Sequence, residues 1–309
     1  MTDTTTVTYR RIGQGFCGTV WADTTGYGDA IKREDGGPGR SLQNDKIMHQ
    51  KAFKSLSNNP SAVRIPRCHR YMTGDDNTWW DSQISRFPGN FQACNALISD
   101  RIPPFSREVR ERLIDLYCPE SLKSRIKLSE GDQDCLVRPY LGRRRRLVKQ
   151  SRFQAFSLRN YPLHVDQIEE LGLDGAFYAR TMAETLAELY WSAHIDANDV
   201  ESVLAPAREG HPSSTASGIL RDHVVWVLDF DCCKHIPMDE AGVEQAVKAF
   251  YNNDPFFPRP DREDVKDQAL WHSFKGRFLE ASSKIVGPDA PHAHLPALWI
   301  DLVEKWGLV

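Results

Sequence analysis

Residues 192–206 read SAHIDANDVESVLAP and decide how the rest of the chain is interpreted. The stretch carries three acidic side chains within six positions: Asp196, Asp199 and Glu201. They follow directly on an apolar helical pattern over residues 174–195, with no lysine or arginine in the stretch. A second acidic pair, Asp229 and Asp231, ends the apolar run HVVWVLDFD at residues 223–231, which is typical of a buried strand. A solvated loop is one interpretation of residues 192–206, and a site for a cation is the other.

The bulk composition is that of an ordinary globular protein. The chain has 309 residues, 40% hydrophobic and 26% charged, with a formal net charge of −3, which excludes a polycation. Its length suffices for one large domain or two lobes. Seven cysteines without paired spacing favour free thiols in a reducing compartment. The sequence shows no apolar signal core and no run of eighteen apolar residues, so we expect a cytoplasmic protein without a membrane span.

The adjacent cysteines of CCKH, residues 232–235, raise the question of a metal. Neighbouring cysteines rarely chelate one zinc ion well, and no second Cys/His pair stands at ligand spacing. Buried thiols at the end of a strand are the better interpretation. The sequence therefore predicts no metal site.

The chain divides into a strand-rich front and a helix-rich back. Its first hundred residues predict several strands around one helix at residues 41–56. After the break IPPF at residues 102–105, amphipathic helical patterns dominate. We therefore expect a small N-terminal lobe over residues 1–102 and a larger helical lobe over residues 103–309.

Three glycines near the N-terminus, Gly13, Gly15 and Gly18, have G-x-G-x-x-G spacing. Such glycines allow tight turns and close approach of the backbone to a phosphate. A Rossmann fold would need a helix directly after them, whereas the strand-like TVWA follows here. The glycine-rich loop of protein kinases continues instead with a valine and a V-A-I-K strand. This chain supplies Val20 and then Ala-Ile-Lys ending at Lys32.

The acidic stretches extend this match. The kinase catalytic loop is H-R-D-L-x-x-x-N and is followed by D-F-G. His194-Ile195-Asp196 stands at the H-R-D position, Glu201 at the asparagine, and Asp229-Phe230-Asp231 at D-F-G. The chain therefore resembles the protein-kinase fold, an α+β bilobal architecture. It departs from that pattern at Glu201, at Asp231 and at Asp45, the one candidate for the acid that pairs with Lys32. An A-P-E motif is also missing.

Longer strings resemble a narrower group. These strings are FSLRNYPLHVDQIEELGLD, HIDANDVESVL with WVLDFDCC, and AFYNNDPFFPRP, within residues 138–260. They are similar to a fungal kinase-like family of largely uncharacterised proteins, often labelled zinc-finger proteins. That family overlaps the arginine-containing cyclodipeptide synthases, which join amino acids from two aminoacyl-tRNAs, one carrying arginine, and release a diketopiperazine. The resemblance implies aminoacyl-tRNAs including arginyl-tRNA as partners and no cofactor. The sequence itself indicates no membrane and no obligate protein partner.

Candidate roles follow for this chemistry. We expect Asp196 or His194 to act as general base, with Asp229 and Glu201 beside them in the catalytic group. A guanidinium group suits crowded carboxylates, so Asp199 and Asp231 are predicted to bind the arginyl side chain. Capping of a helix or loop is the structural alternative for Asp199 and Glu201. Lys32, Gly13, Gly15 and Gly18 are also predicted to bind substrate, through RNA phosphate; a purely structural role as scaffold is the alternative.

A concentrated basic segment lies at residues 138–159, in which no acidic residue occurs. Such a segment suits a phosphate backbone and predicts an RNA contact. A solvated basic loop or a nuclear-targeting patch explains it equally well. The residues predicted to bind RNA are Arg143, Arg144, Arg145, Arg146, Lys149, Arg152 and Arg159.

Two other functions remain open from the residues alone. One is a phosphotransferase with ATP and Mg²⁺, using Lys32 on phosphate, Asp196 as base, and Glu201 and Asp229 on the metal. The other is a pseudokinase that serves as a binding module.

Overall fold

The N-terminal half forms an antiparallel sheet with helices beside it. The computed structural model describes residues 7–25, 28–58, 63–145, 155–207 and 218–307. The elements up to residue 100 are β1 (Tyr9–Gln14), β2 (Thr19–Asp23), β3 (Asp29–Arg33), α1 (Leu42–Asn58), β4 (Val63–Arg64), β5 (Cys68–Met72), α2 (Asn77–Gln83) and β6 (Ala96–Asp100). Five of these strands pair in the order β1-β2-β3-β6-β5, all antiparallel.

The second half is mostly helical around a second sheet. Its elements are α3 (Arg107–Tyr117), α4 (Glu120–Lys127), β7 (Val137–Tyr140), β8 (Tyr161–His164), α5 (Val165–Glu170), α6 (Gly175–Ala187), β9 (Glu201–Ala205), β10 (Val224–Leu228), α7 (Glu240–Asn252), α8 (Val265–Val286) and α9 (Leu295–Trp306). The second sheet has the order β4-β10-β9-β7-β8, so β4 leaves the N-terminal half and pairs parallel with β10. This strand ties the two halves together.

The core of the second half explains why its helices form. The apolar stripe of α6 is buried against α8, and Trp299 of α9 packs 4.5 Å from the ring of Phe278. Burial of such large side chains contributes about 1.5–3 kcal/mol each. The helix does not run unbroken to the acidic stretch, because Glu188–Ser192 form a π-helical turn just before it. A π turn of this kind often lies beside a functional site.

The predicted fold class is confirmed: the protein is α+β, with a strand-rich N-terminal sheet, a helix after the third strand, and a helical C-terminal part. The predicted boundary at residue 102 lies just after β6 and stays a prediction. All seven cysteines are free thiols. Among the described helices, none is both long and apolar enough to cross a membrane.

Candidate functional site

A cavity of about 540 Å³ lies between the glycine loop, the end of β6 and the acidic end of β10. Apolar residues from both halves face it: Ile12, Val20 and Ala30 from the first sheet, and Leu136 and Leu228 from the second half. Among the described lining residues, eight are Asp or Glu and four are Lys or Arg. Its size is that of a small-molecule site, and its charge favours a cation.

The glycine loop joins β1 to β2, and Gly13, Gly15 and Gly18 all line the cavity. The loop closes on itself, because Gly15 N–H donates to the carbonyl of Gly18 at 2.9 Å. Gly18 has φ +149°, and a Cβ there would lie 2.1 Å from the Arg33 carbonyl oxygen. Glycine is required at this position because only it permits that approach.

Lys32 of β3 is the centre of an ion-pair network. Its Nζ donates to Asp45 of α1 at 2.7 Å and to Asp229 at 2.6 Å. Burial alone would lower the pKa of Lys32, but the charges of Asp45 and Asp229 outweigh it and raise that pKa well above its usual value. The predicted pair of Lys32 with Asp45 therefore forms, and it includes the first residue of the D-F-D stretch.

The D-F-D stretch turns sharply into the cavity. Asp229 has φ +68°, and the ring of Phe230 is fully buried. Burial would raise the pKa of Asp229, but Lys32 lowers it. Burial and the neighbouring charge of Asp229 raise the pKa of Asp231 to about 6. Two carboxylates in this arrangement require a positive partner to be charged together.

Arg40, which sequence reasoning missed, supplies such a partner. It lies between β3 and α1, and its Nη1 contacts Asp199 at 3.1 Å, Asp231 at 3.0 Å and the Sγ of Cys232. These three acceptors also have the mutual spacing of a metal site. The predicted substrate carboxylates Asp199 and Asp231 therefore come together around a guanidinium of the chain itself.

Glu201 also lines the cavity, held by residues that sequence reasoning did not place there. Arg138 of β7 donates to its carboxylate and also reaches Asp254, at 3.5 Å. Asp254 in turn accepts a hydrogen bond from the hydroxyl of Tyr140. Burial is the main cause that raises the pKa of Glu201 to about 7, against the opposing charge of Arg138. The string AFYNNDPFFPRP, which contains Asp254, was the available signal.

The structure places Asp196 and His194 away from the described lining of the cavity. Asp196 is buried, and its carboxylate accepts hydrogen bonds from the backbone N–H of Asn198 and Lys234 and from Nε2 of Gln245. Such a carboxylate braces a loop and is not exposed to a substrate. The ring of His194 stacks 6.1 Å from that of His235. The catalytic roles predicted for both residues stay predictions without geometric support.

The basic segment is paired with acids from later helices. Arg144 binds Glu169 at 2.8 Å and Asp267 at 2.7 Å, and Arg145 binds Asp166 and Glu170. Pairing explains these arginines without a nucleic acid.

For Arg143 and Arg159, the other described arginines predicted to bind RNA, the structure shows contacts other than ion pairs. Arg143 is exposed, 5.6 Å from the ring of Tyr140, and Arg159 contacts the carbonyl of Gly131. Arg146, Lys149 and Arg152 lie outside the described residues. RNA binding by this segment stays a prediction.

Comparisons with known proteins add limited information. Residues 225–290, which contain α7, α8 and all but the first residue of β10, match a family model described as "Zinc finger protein". This supports the predicted resemblance to proteins with that label over less than half of the chain. The overlap with cyclodipeptide synthases stays a prediction. Among the described residues, the matched segment supplies Asp231 and Cys232 to a group of potential metal ligands that Asp199 completes. That set is not a zinc-finger ligand set.

A search of curated proteins finds no match. Among solved structures, the chain is similar to the kinase domain of maize sucrose-induced receptor kinase 1 bound to AMP-PNP. The two share 12% sequence identity over 97% of this chain and 79% of the maize chain, with a TM-score of 0.31. A likeness this weak carries no argument about function.

Proposed function

We propose that the protein is a phosphotransferase that uses ATP and Mg²⁺. The observation that carries the proposal is Lys32 Nζ between Asp45 and Asp229, beneath the glycine loop. In kinases the equivalent lysine pairs with a helix acid and holds nucleotide phosphates, while the D-F-G aspartate holds Mg²⁺. One carboxylate is enough to neutralise Lys32. The second one, from Asp45 or Asp229, leaves a negative charge that a further cation can neutralise.

The residues present fit a nucleotide with its metal. The apolar residues Val20 and Ala30 on one side and Leu228 on the other offer a slot for a flat base. Asp229 and Asp231 supply the carboxylate oxygens that Mg²⁺ prefers. Bound Mg²⁺ would neutralise the phosphate charge that these carboxylates would otherwise repel.

The proton of the acceptor hydroxyl needs a carboxylate inside the cavity. Glu201 lines it, and a pKa of about 7 is matched to proton transfer near neutral pH. Arg138 holds this carboxylate in position through its ion pair. In this mechanism the bond between the γ-phosphorus and its bridging oxygen breaks and ADP leaves with that electron pair, while the acceptor oxygen bonds to the phosphorus and its proton passes to Glu201.

A second candidate is the tRNA-dependent cyclodipeptide synthase that the resemblance implies. One observation favours it: Asp199 and Asp231 already hold a guanidinium, that of Arg40. The side chain of an arginyl ester would make the same charge-assisted hydrogen bonds. The ester is already activated, so this reaction requires no ATP.

One pair of assays separates the candidates. The full chain is incubated with γ-labelled ATP, Mg²⁺ and a panel of small hydroxyl acceptors, and separately with arginyl-tRNA and other aminoacyl-tRNAs while mass spectrometry seeks cyclic dipeptides. ATP-dependent labelling that Lys32→Met abolishes and Lys54→Met retains supports the phosphotransferase, because Lys54 is exposed on α1. Cyclic dipeptides formed without ATP establish the second candidate. Nucleotide binding without either product indicates a binding module and refutes both.

A further inference from the structure

A short glycine-rich segment packs against the glycine loop and brings Arg40 into the lining of the cavity. We name residues 36–40, Gly-Gly-Pro-Gly-Arg, the strap; it connects β3 to α1. Gly36 N–H donates to the carbonyl of Cys17 at 3.1 Å, and Gly37 N–H donates to that of Phe16 at 2.9 Å. A Cβ on Gly36 would lie 2.2 Å from the Phe16 carbonyl oxygen. The strap therefore lies directly against the tip of the glycine loop.

The far end of the strap enters the acidic cluster. Arg40 Nη1 contacts Asp199 and Asp231, and the guanidinium carbon lies 5.6 Å from the ring centre of Phe16. Phe16 is otherwise 78% exposed at the tip of the glycine loop. One guanidinium thus joins the glycine loop to both acidic stretches.

The strap is anchored at α1 rather than at Arg40. Leu42 N–H donates to Glu34 at 2.7 Å, and Asn44 Nδ2 donates to the carbonyls of Asp231 and Cys233. Three glycines within residues 36–40 leave the backbone many alternative conformations. Asp199 is 53% exposed, so water can replace one of the two partners when Arg40 leaves. Arg40 can therefore move without disturbing α1.

We propose that the strap is an autoinhibitory contact, in which Arg40 occupies the position of the cation that the reaction needs. A divalent cation at Asp231 would stand within a few ångströms of Arg40 and be repelled by it. The cation enters only when Arg40 withdraws. The apparent affinity of the protein for the cation is therefore the affinity of the open form multiplied by the fraction of molecules in which the strap is open. This inference rests on the proposed phosphotransferase, because it takes Mg²⁺ as the cation.

The test measures Mn²⁺ binding to the full chain by the EPR signal of free Mn²⁺. Arg40→Gln is compared with wild type, with Arg40→Lys, and with Arg70→Gln, which removes an equal charge from an exposed position on β5. Two charge-assisted contacts, one to the exposed Asp199 and one to the buried Asp231, correspond to about a tenfold bias toward the closed strap. We expect Arg40→Gln to bind Mn²⁺ about tenfold more tightly, with the other two proteins close to wild type.

Equal Mn²⁺ affinity of wild type and folded Arg40→Gln would overturn the autoinhibitory role of the strap. Weaker affinity of the variant, or no binding by either protein, would overturn it too. Far-ultraviolet circular dichroism checks that the variant is folded before its affinity is compared. Tighter Mn²⁺ binding in an Arg40→Gln variant that transfers no phosphoryl group would support the autoinhibitory strap and refute the phosphotransferase. Unchanged Mn²⁺ affinity in a variant that transfers phosphoryl groups would support the phosphotransferase and refute the autoinhibitory strap.

Discussion

Glu201→Gln removes a partly buried carboxylate whose pKa is raised to about 7. Glutamine keeps the shape of a neutral glutamic acid and still offers an oxygen to Arg138, but it cannot ionise. In the wild type, burial and the charge of Asp229 favour the protonated form of Glu201. The stability of the two proteins should therefore differ in its dependence on pH.

The sign and size follow from the pKa. The carboxyl has a pKa of 4.5 in the unfolded chain and about 7 in the fold, so the folded protein holds the proton more tightly. The stabilisation is fully present below pH 4.5 and is lost as the pH rises through about 7. The separation corresponds to about 3 kcal/mol of unfolding free energy.

Urea unfolding from pH 4.5 to 8 measures this effect. The unfolding free energy of wild type minus that of Glu201→Gln should fall by about 3 kcal/mol across the range. Arg138 lowers the pKa of Glu201, so Arg138→Gln should move the fall to higher pH. Glu244→Gln, on the exposed face of α7, controls for the loss of a carboxylate. A difference that stays flat, or rises with pH, would refute the burial argument.

Two further substitutions test the placement of loops. Asp196→Asn should lower the unfolding free energy by about 1–3 kcal/mol, because three N–H donors lose a charged acceptor. The side chain of Asp199 is 53% exposed, so Asp199→Asn should change the unfolding free energy little. Equal effects of the two substitutions in chemical denaturation would contradict a bracing role for Asp196. Gly36→Ala should cost about 1–3 kcal/mol because its Cβ would lie 2.2 Å from the Phe16 oxygen. Gly37→Ala, whose Cβ would lie 3.8 Å from that atom, is the matched control, and similar melting temperatures for both variants would show that the strap does not pack there.

Much of the site could be predicted because it depends on local spacing. The glycine loop, Lys32, Asp45 and Asp229 were recognised from motif order, and the structure brings them together. The same method misplaced Asp196 relative to the cavity. Spacing gives the position of a residue along a loop, but not which side of the loop its carboxylate faces. The backbone N–H groups that hold Asp196 inward belong partly to residue 234, far along the chain.

Other features depended on long-range pairing. The strands β7 and β8 were missed because their sequence lies within or beside a basic segment without clear alternation. Pairing of β7 with β9 then brings Arg138 to Glu201. The partners of Arg144 lie on α5 and α8, so the absence of acids within the segment itself did not indicate free charge.

The amino-acid sequence by itself determined the α+β class and the order of the kinase-like motifs, since these follow from periodicity and spacing along the chain. Only the tertiary structure decided which charges meet in the cavity. Arg40 reaches Asp199 and Asp231 across more than 150 positions of sequence. Such ion pairs depend on how the two halves pack, and no local sequence pattern indicates which distant residues will meet. The acidic stretch at residues 192–206 thus divides in the fold, with Asp196 bracing the loop while Asp199 and Glu201 face the cavity.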